Sequence, residues 1–229
     1  MARSGYTKVL IVDDHPIFLM GLKTLLESCN KFNIVGTSEN IYGALALAEK
    51  ENPRLVIMEI SLGKENGIDL IQRLRSLNQE IVILVLSVND ERYYSERILR
   101  MGARGYIMKS SPTKIVMDAV STVLNGKVYL SENERERIFQ AMAEESTRGT
   151  KDWTISIEKL SNRELQVFTL IGKGYGTIEI ASRFNLSTKT IDTHKEHIKL
   201  KLHCNTSQEL RQLAIEWSNI PGNFQTLLS

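Results

Sequence analysis

The chain is short of cysteine, of long apolar runs and of any strong excess of one charge, and each shortage excludes something. It has two cysteines in 229 residues, Cys29 and Cys204. Far apart and in different prospective domains, they argue for ordinary thiols rather than a structural disulfide. No stretch approaches the roughly 18 consecutive apolar residues of a membrane span. The amino terminus, MARSGYTKVLIVDD, has neither the apolar core nor the small-residue cleavage site of a secretory signal. A cytoplasmic protein without membrane contact is expected. No Gly-rich phosphate loop and no nucleophile beside a base occur, so an enzyme is not expected. The formal net charge is only +2, too small to imply nucleic-acid binding by itself. Residues 159–229 are slightly basic, with 9 Lys+Arg against 6 Asp+Glu.

What is present is a repeating pattern. The first 130 residues alternate short β-rich apolar runs with helical spacing, five times over. Strands are expected at Lys8 to Val12, Asn33 to Thr37, Leu55 to Ile60, Ile81 to Ser87 and Gly105 to Met108. Helices are expected near Pro16 to Ser28, Ile41 to Glu51, Gly67 to Leu77, Arg92 to Met101 and Pro112 to Leu124. Such alternation implies a mostly parallel sheet with helices on both faces. A charged stretch with one short helix, Glu132 to Ala143, follows and reads as a linker. Beyond Leu160 only helical segments remain: Asn162 to Gly172, Thr177 to Phe184, Thr188 to Leu202 and Ser207 to Ser218.

In an open α/β sheet, ligands bind beyond the carboxyl ends of the strands. That rule gathers Asp13, Asp14, Glu59, Ser87 and Lys109 at one edge. Three clustered carboxylates need a compensating cation, which could be Lys109, a bound Mg²⁺ or a proton on one acid. The ordered motifs VDDHP (12–16), IMEISLGKENG (57–67), LVLS (84–87) and GARGYIMK (102–109) resemble the receiver domain of response regulators across residues 7–125. The resemblance implies that Asp13 and Asp14 hold Mg²⁺ together with position 59 and the Ser61 carbonyl. It further implies that position 59 accepts phosphate, that Ser87 and Lys109 contact the phosphoryl group, and that Tyr106 is the rotamer switch. The family's acceptor aspartate is, however, Glu59 here. Its carboxylate should project about 1.5 Å further, which misaligns in-line transfer. A phosphomimetic or phosphorylation-independent switch with weakened Mg²⁺ binding is therefore expected.

The last 70 residues carry helix punctuation: Ser161 and Glu164 at capping-box spacing, glycines at 174 and 176, and Ser187 as a cap. Ile178, Ile180, Ala181, Phe184 and Leu186 are expected to form a small core around a tight turn. On the helix from Thr188 to Leu202, Ile191, Ile198 and Leu202 share one face while Lys189, Thr193 and Glu196 lie opposite. LSNRE (160–164), GKGYGTIEIA (172–181) and LSTKTIDTH (186–194) resemble the LuxR-type helix-turn-helix of NarL/FixJ-type response regulators. By that resemblance Thr188 to Leu202 is the recognition helix. Lys189, Thr193 and Lys195 are the leading DNA contacts, supported by Thr177, Ser187 and Thr190. Asp192 and Glu196 are expected to pair with neighbouring lysines. Leu210, Leu213 and Trp217 are expected at a homodimer contact, with Trp217 either its anchor or a lid on the core. His194, His197, His203 and Cys204 lack zinc-finger spacing, so packed or solvated histidines are expected rather than a metal site.

The expectation is thus a flavodoxin-like, five-stranded parallel receiver domain (7–127), a linker (128–158) and a small all-α, four-helix DNA-binding domain (159–220). The expected partners are double-stranded DNA, a second copy of the chain and a histidine kinase. The competing reading is a pseudo-receiver interaction module with little specific DNA binding, which a salt-dependent gel shift distinguishes.

Overall fold

Val9–Val12, Leu55–Met58 and Val82–Ser87 are buried along their whole lengths, as central strands covered on both faces must be. In the computed structural model, which describes residues 5–63, 65–145, 157 and 159–218, they are the middle of a five-stranded parallel sheet. Its strands are β1 (Thr7–Val12), β2 (Phe32–Ser38), β3 (Leu55–Met58), β6 (Val82–Ser87) and β7 (Gly105–Met108). They run in the order β2-β1-β3-β6-β7, the flavodoxin-like order that puts a ligand crevice beside β1 and β3. Between β3 and β6 lies a two-stranded hairpin absent from the expected pattern, β4 (Ser61–Leu62) with β5 (Glu65–Asn66).

The crossovers are α1 (Pro16–Glu27), α2 (Ile41–Glu51), α3 (Gly67–Leu77), α4 (Glu91–Arg100) and α5 (Thr113–Leu124). Local chemistry sets their starts. Pro16 occupies the first turn of α1, where a missing N–H costs nothing. Asn40 caps α2 by accepting from Gly43 N, and Asp90 caps α4 by accepting from Arg92 N. Leu19, Leu22 and Leu26 of α1 and Val116, Ala119, Val120 and Val123 of α5 pack on one face of the sheet. The third strand stops at Met58 rather than Ile60. Glu59 follows directly, its N–H still donating to Val12 O at 2.9 Å, so its side chain is held at the strand end.

Contacts divide the chain into two compact units, residues 1–135 and 136–229. Helix α6 (Glu132–Glu145) starts in the first. The second contains α7 (Asn162–Gly172), α8 (Thr177–Arg183), α9 (Thr188–Leu202) and α10 (Ser207–Ser218). Its core joins Val167, Phe168, Ile180, Ile191, Ile198 and Ala214, and Phe168 meets Trp217 with ring centroids 5.4 Å apart. Gly172 lets α7 and α10 touch, since an added Cβ would sit 2.6 Å from Ala214 O.

Candidate switch pocket and nucleic-acid interface

The β1 end supplies Asp13 and Asp14, the β3 end Glu59, the β6 end Ser87 and the β7 end Lys109, and the structure brings all five together. Glu59 is 1% exposed, and a buried carboxylate is tolerable only when it is paired and hydrogen-bonded. Its Oε1 accepts from Ile60 N at 2.7 Å, from Ser61 N at 3.0 Å and from the Ser87 hydroxyl. Its Oε2 accepts from Val88 N at 3.1 Å and faces Lys109 Nζ at 3.1 Å. Lys109 Nζ also lies 2.5 Å from Asp13 Oδ2 and 4.5 Å above the Phe18 ring. Gly67 makes room for this arrangement, because a Cβ there would fall 2.6 Å from Glu59 O.

The side chains expected to form the switch adjoin Glu59. Tyr106 is fully buried, and its hydroxyl donates to Asn89 O at 2.8 Å. Burial pushes the phenol well above its ordinary pKa, against the lowering effect of the Ser87 hydroxyl. Asn89, which the sequence did not single out, donates through Nδ2 to Ser61 Oγ at 2.9 Å and to Ser87 Oγ at 3.1 Å.

The expected metal set included Glu59, but both its oxygens face donors. The group that converges within metal-binding reach is Asp13, Asp14 and His15. His15 was missed in the sequence, although it directly follows the acidic pair. Its N–H donates to Asp13 Oδ1 at 3.0 Å, and Nδ1 lies 3.1 Å from that atom and 2.9 Å from Asp14 Oδ1. Gly63 N donates to Asp14 Oδ2 at 2.7 Å. Asp14 Oδ1 is buried and, although His15 Nδ1 lies beside it, accepts no hydrogen bond, so it keeps lone pairs that a hard cation could take, and the Asp13 and Asp14 carboxylates fit Mg²⁺.

In the helical unit, Ser161 and Glu164 form the expected capping box: Glu164 N donates to Ser161 Oγ, and Ser161 N to Glu164 Oε2 at 2.6 Å. Lys201 reaches the same carboxylate at 2.6 Å, so one acid ties the start of α7 to the end of α9. Burial is the strongest single influence on Glu164 and opposes its ionisation, but the Lys201 ammonium and the Ser161 N–H and hydroxyl together outweigh it and hold the carboxyl below its usual range. Ser187 caps α9 by accepting from Thr190 N at 3.0 Å. Ile191, Ile198 and Leu202 face the core while Lys189, Asp192, Thr193 and Glu196 are exposed, as the periodicity required. Thr193 Oγ1 donates to Lys189 O at 3.0 Å. Lys195 Nζ donates to Thr177 Oγ1 at 2.8 Å, joining two of the expected DNA contacts. Glu196 pairs with Lys199 at 2.9 Å. His194 is half-buried and His197 exposed, as expected. Among the described residues, the one cluster within metal-binding reach is the Asp13, Asp14 and His15 group.

Two expectations are corrected. Ile178 is 76% exposed rather than in the core: α8 turns Ile180 and Ala181 inward, and at about 100° per residue Ile178 points about 110° away from their shared direction. Leu210 and Trp217 are buried because the stripe they share with Ala214 packs on α7. Trp217 is the lid, and neither residue offers a free side chain to a partner. Leu213 is half-buried, and Ile215 is exposed on the far side.

Comparison with known proteins agrees with this geometry. The response regulator receiver domain family matches residues 9–121, and the luxR family of bacterial regulatory proteins matches 158–214. Oxygen regulatory protein NreC of Staphylococcus aureus is 31% identical over 210 residues, 91% of this chain and 97% of NreC. RcsB of Salmonella enterica serovar Typhimurium, solved on promoter DNA with the phosphomimetic BeF₃⁻, is 25% identical with a TM-score of 0.55, covering 91% of this chain and 98% of that one. A structure of two RcsB dimers on two parallel DNAs gives the same identity and TM-score, covering 90% and 97%. Among the described residues no helix is long and apolar enough to cross a membrane. The chain belongs to the NarL/FixJ-type response regulators, transcription regulators that join a receiver domain to a LuxR-type DNA-binding domain.

Proposed function

We propose that this regulator binds DNA as a homodimer under a receiver held in its switched form by Glu59, without phosphorylation. The observation that carries the reading is the donor set around one carboxylate: Ile60 N, Ser61 N, Ser87 Oγ, Val88 N and Lys109 Nζ. A phosphoryl group adds roughly −1.5 to −2 charge and three acceptor oxygens. Glu59 supplies one charge and two oxygens to donors that would otherwise meet those acceptors. The inward, hydrogen-bonded Tyr106 belongs to the same state. Asp13 and Asp14 would hold Mg²⁺, which would neutralise the acidic pair; Glu59 is not among its ligands. A histidine kinase is then dispensable.

At the other end, Lys189, Thr190 and Thr193 on α9 reach base edges in the major groove, and Ser187, Thr177 and Lys195 meet the backbone. The RcsB dimers on DNA support a symmetric dimer reading paired half-sites. Leu213, half-buried, is the α10 residue left for its contact. Intact-mass measurement after exposure to a small phosphodonor, paired with a gel shift, tests the reading. The expected result is no adduct and specific DNA binding unchanged by the donor. A stoichiometric, base-labile adduct on Glu59 that raises affinity would overturn it.

A further inference from the structure

Hydrogen bonds continue from the pocket away from the phosphoacceptor position. Ser87 Oγ accepts from Asn89 N at 3.2 Å, and Asn89 O accepts from Tyr106. Asn89 leads directly into Asp90, the cap of α4. The next residue, Glu91, accepts from the Ser131 hydroxyl. Ser131 Oγ in turn accepts from Glu134 N at 3.1 Å, which caps the start of α6. One turn further along α4, Ser95, fully buried, donates to Glu134 Oε1. Glu91 and Ser95 are four residues apart, so they project from one face of α4.

The segment leading to α6 is also stitched to the sheet. Tyr106 N donates to Tyr129 O at 3.1 Å, and Tyr129 N to Arg104 O at 2.9 Å. Tyr129 thus bridges the edge of β7 in parallel register with Gly105. Gly105 permits that approach, since a Cβ there would fall 2.8 Å from Tyr129 O. Glu134 is the unusual member. An acid in the first turn of a helix ordinarily sits in water beside the positive helix end, yet this one is 1% exposed. A buried carboxylate is kept only where specific partners hold it. The sequence placed these residues in a linker; the contacts place them on the receiver.

We propose that residues 129–135 are an output strap, and that Glu134 is the positioning residue through which the Glu59 pocket fixes where α6 begins. The proposal rests on the reading that the Glu59 donor set defines the switched state. Both ends of the network share α4 and the Tyr106 backbone, so a change in Ser87 or Tyr106 moves the atoms that hold the strap. Coupling of this kind is reciprocal, which makes it measurable from either end.

Hydrogen exchange of the full chain, followed by mass spectrometry, tests it. Glu59→Ala, and Ser87→Ala as a milder variant that keeps every charge, are each expected to speed exchange in 129–135 by about 5- to 150-fold, the range typical of allosteric coupling. Peptides covering 41–51 stay unchanged. Conversely, Glu134→Leu speeds exchange across 87–89 and 105–107, while Glu134→Gln, which still accepts from Ser95, does not. Unchanged exchange in 129–135 for a folded pocket variant, or an increase spread evenly over the receiver, would overturn the strap. Phosphate uptake at Glu59 would overturn only the proposed function, leaving the response to Ser87→Ala as the independent readout.

Discussion

A single methylene separates Glu59 from the aspartate expected at its position, and its consequences are local and strong. The longer side chain lets both oxygens turn back to the backbone N–H groups of Ile60, Ser61 and Val88 while still meeting Lys109. Lys109 is therefore the shared cation of Asp13 and Glu59. Lys109→Met leaves two buried acids facing each other, and removing one partner of a buried ion pair typically costs about 3–5 kcal/mol. Urea unfolding at pH 7 should show a loss of that size. The cluster of strand-end residues was legible in the sequence because parallel strands deliver their carboxyl ends to one edge. His15 and Asn89 were not, because loop geometry rather than periodicity aims them. Nor was Glu134, since an acid in a charged helical stretch reads as solvated.

At the scale of elements, the expected bounds of α7, α9 and α10 coincide with those observed. Ser161 and Ser187 announce two of the starts through the backbone N–H groups they accept from. What periodicity could not supply was which neighbour each face meets: Trp217 turned out to cover Phe168, and Ile178 faces outward. Ser161→Ala removes one half of the capping box and should lower stability of the helical unit by about 1 kcal/mol. Ile198→Ala, at a fully buried position of α9, should cost about 2–5 kcal/mol. On the opposite face of the same helix, Lys189→Ala should leave stability within about 0.5 kcal/mol. It should weaken specific DNA binding by about 1–3 kcal/mol, and a salt titration by gel shift separates the two effects. Equal affinity for the variant would remove α9 from the groove.

For the whole molecule, the titratable groups give the two units different acid responses. Burial, and then the Arg163 charge, holds His194 below its ordinary 6.5. The unfolded chain therefore takes up that proton first, and stability of the helical unit falls as pH drops below 6.5 through the folded value. Glu164, held below 4.5, contributes stability above that pH that is lost on further acidification. Glu91 is held above 4.5, chiefly by burial and against its bond from Ser131. Its contribution to the receiver runs the other way, being largest at low pH and declining as pH rises from 4.5 through the folded value. Thermal unfolding followed by Trp217 emission in a Trp153→Phe chain should show the helical unit's midpoint falling between pH 7 and 5, and His194→Gln should flatten that slope. An unaltered midpoint would count against the burial of His194.

The saturated carboxylate at position 59 also bears on time. An acyl phosphate is a decaying mark, made and hydrolysed, so a receiver that carries one measures how recently it was addressed. A glutamate side chain has no half-life. If it alone holds the pocket, the molecule keeps no record of past signals, and its output follows the rates at which the chain is made and destroyed.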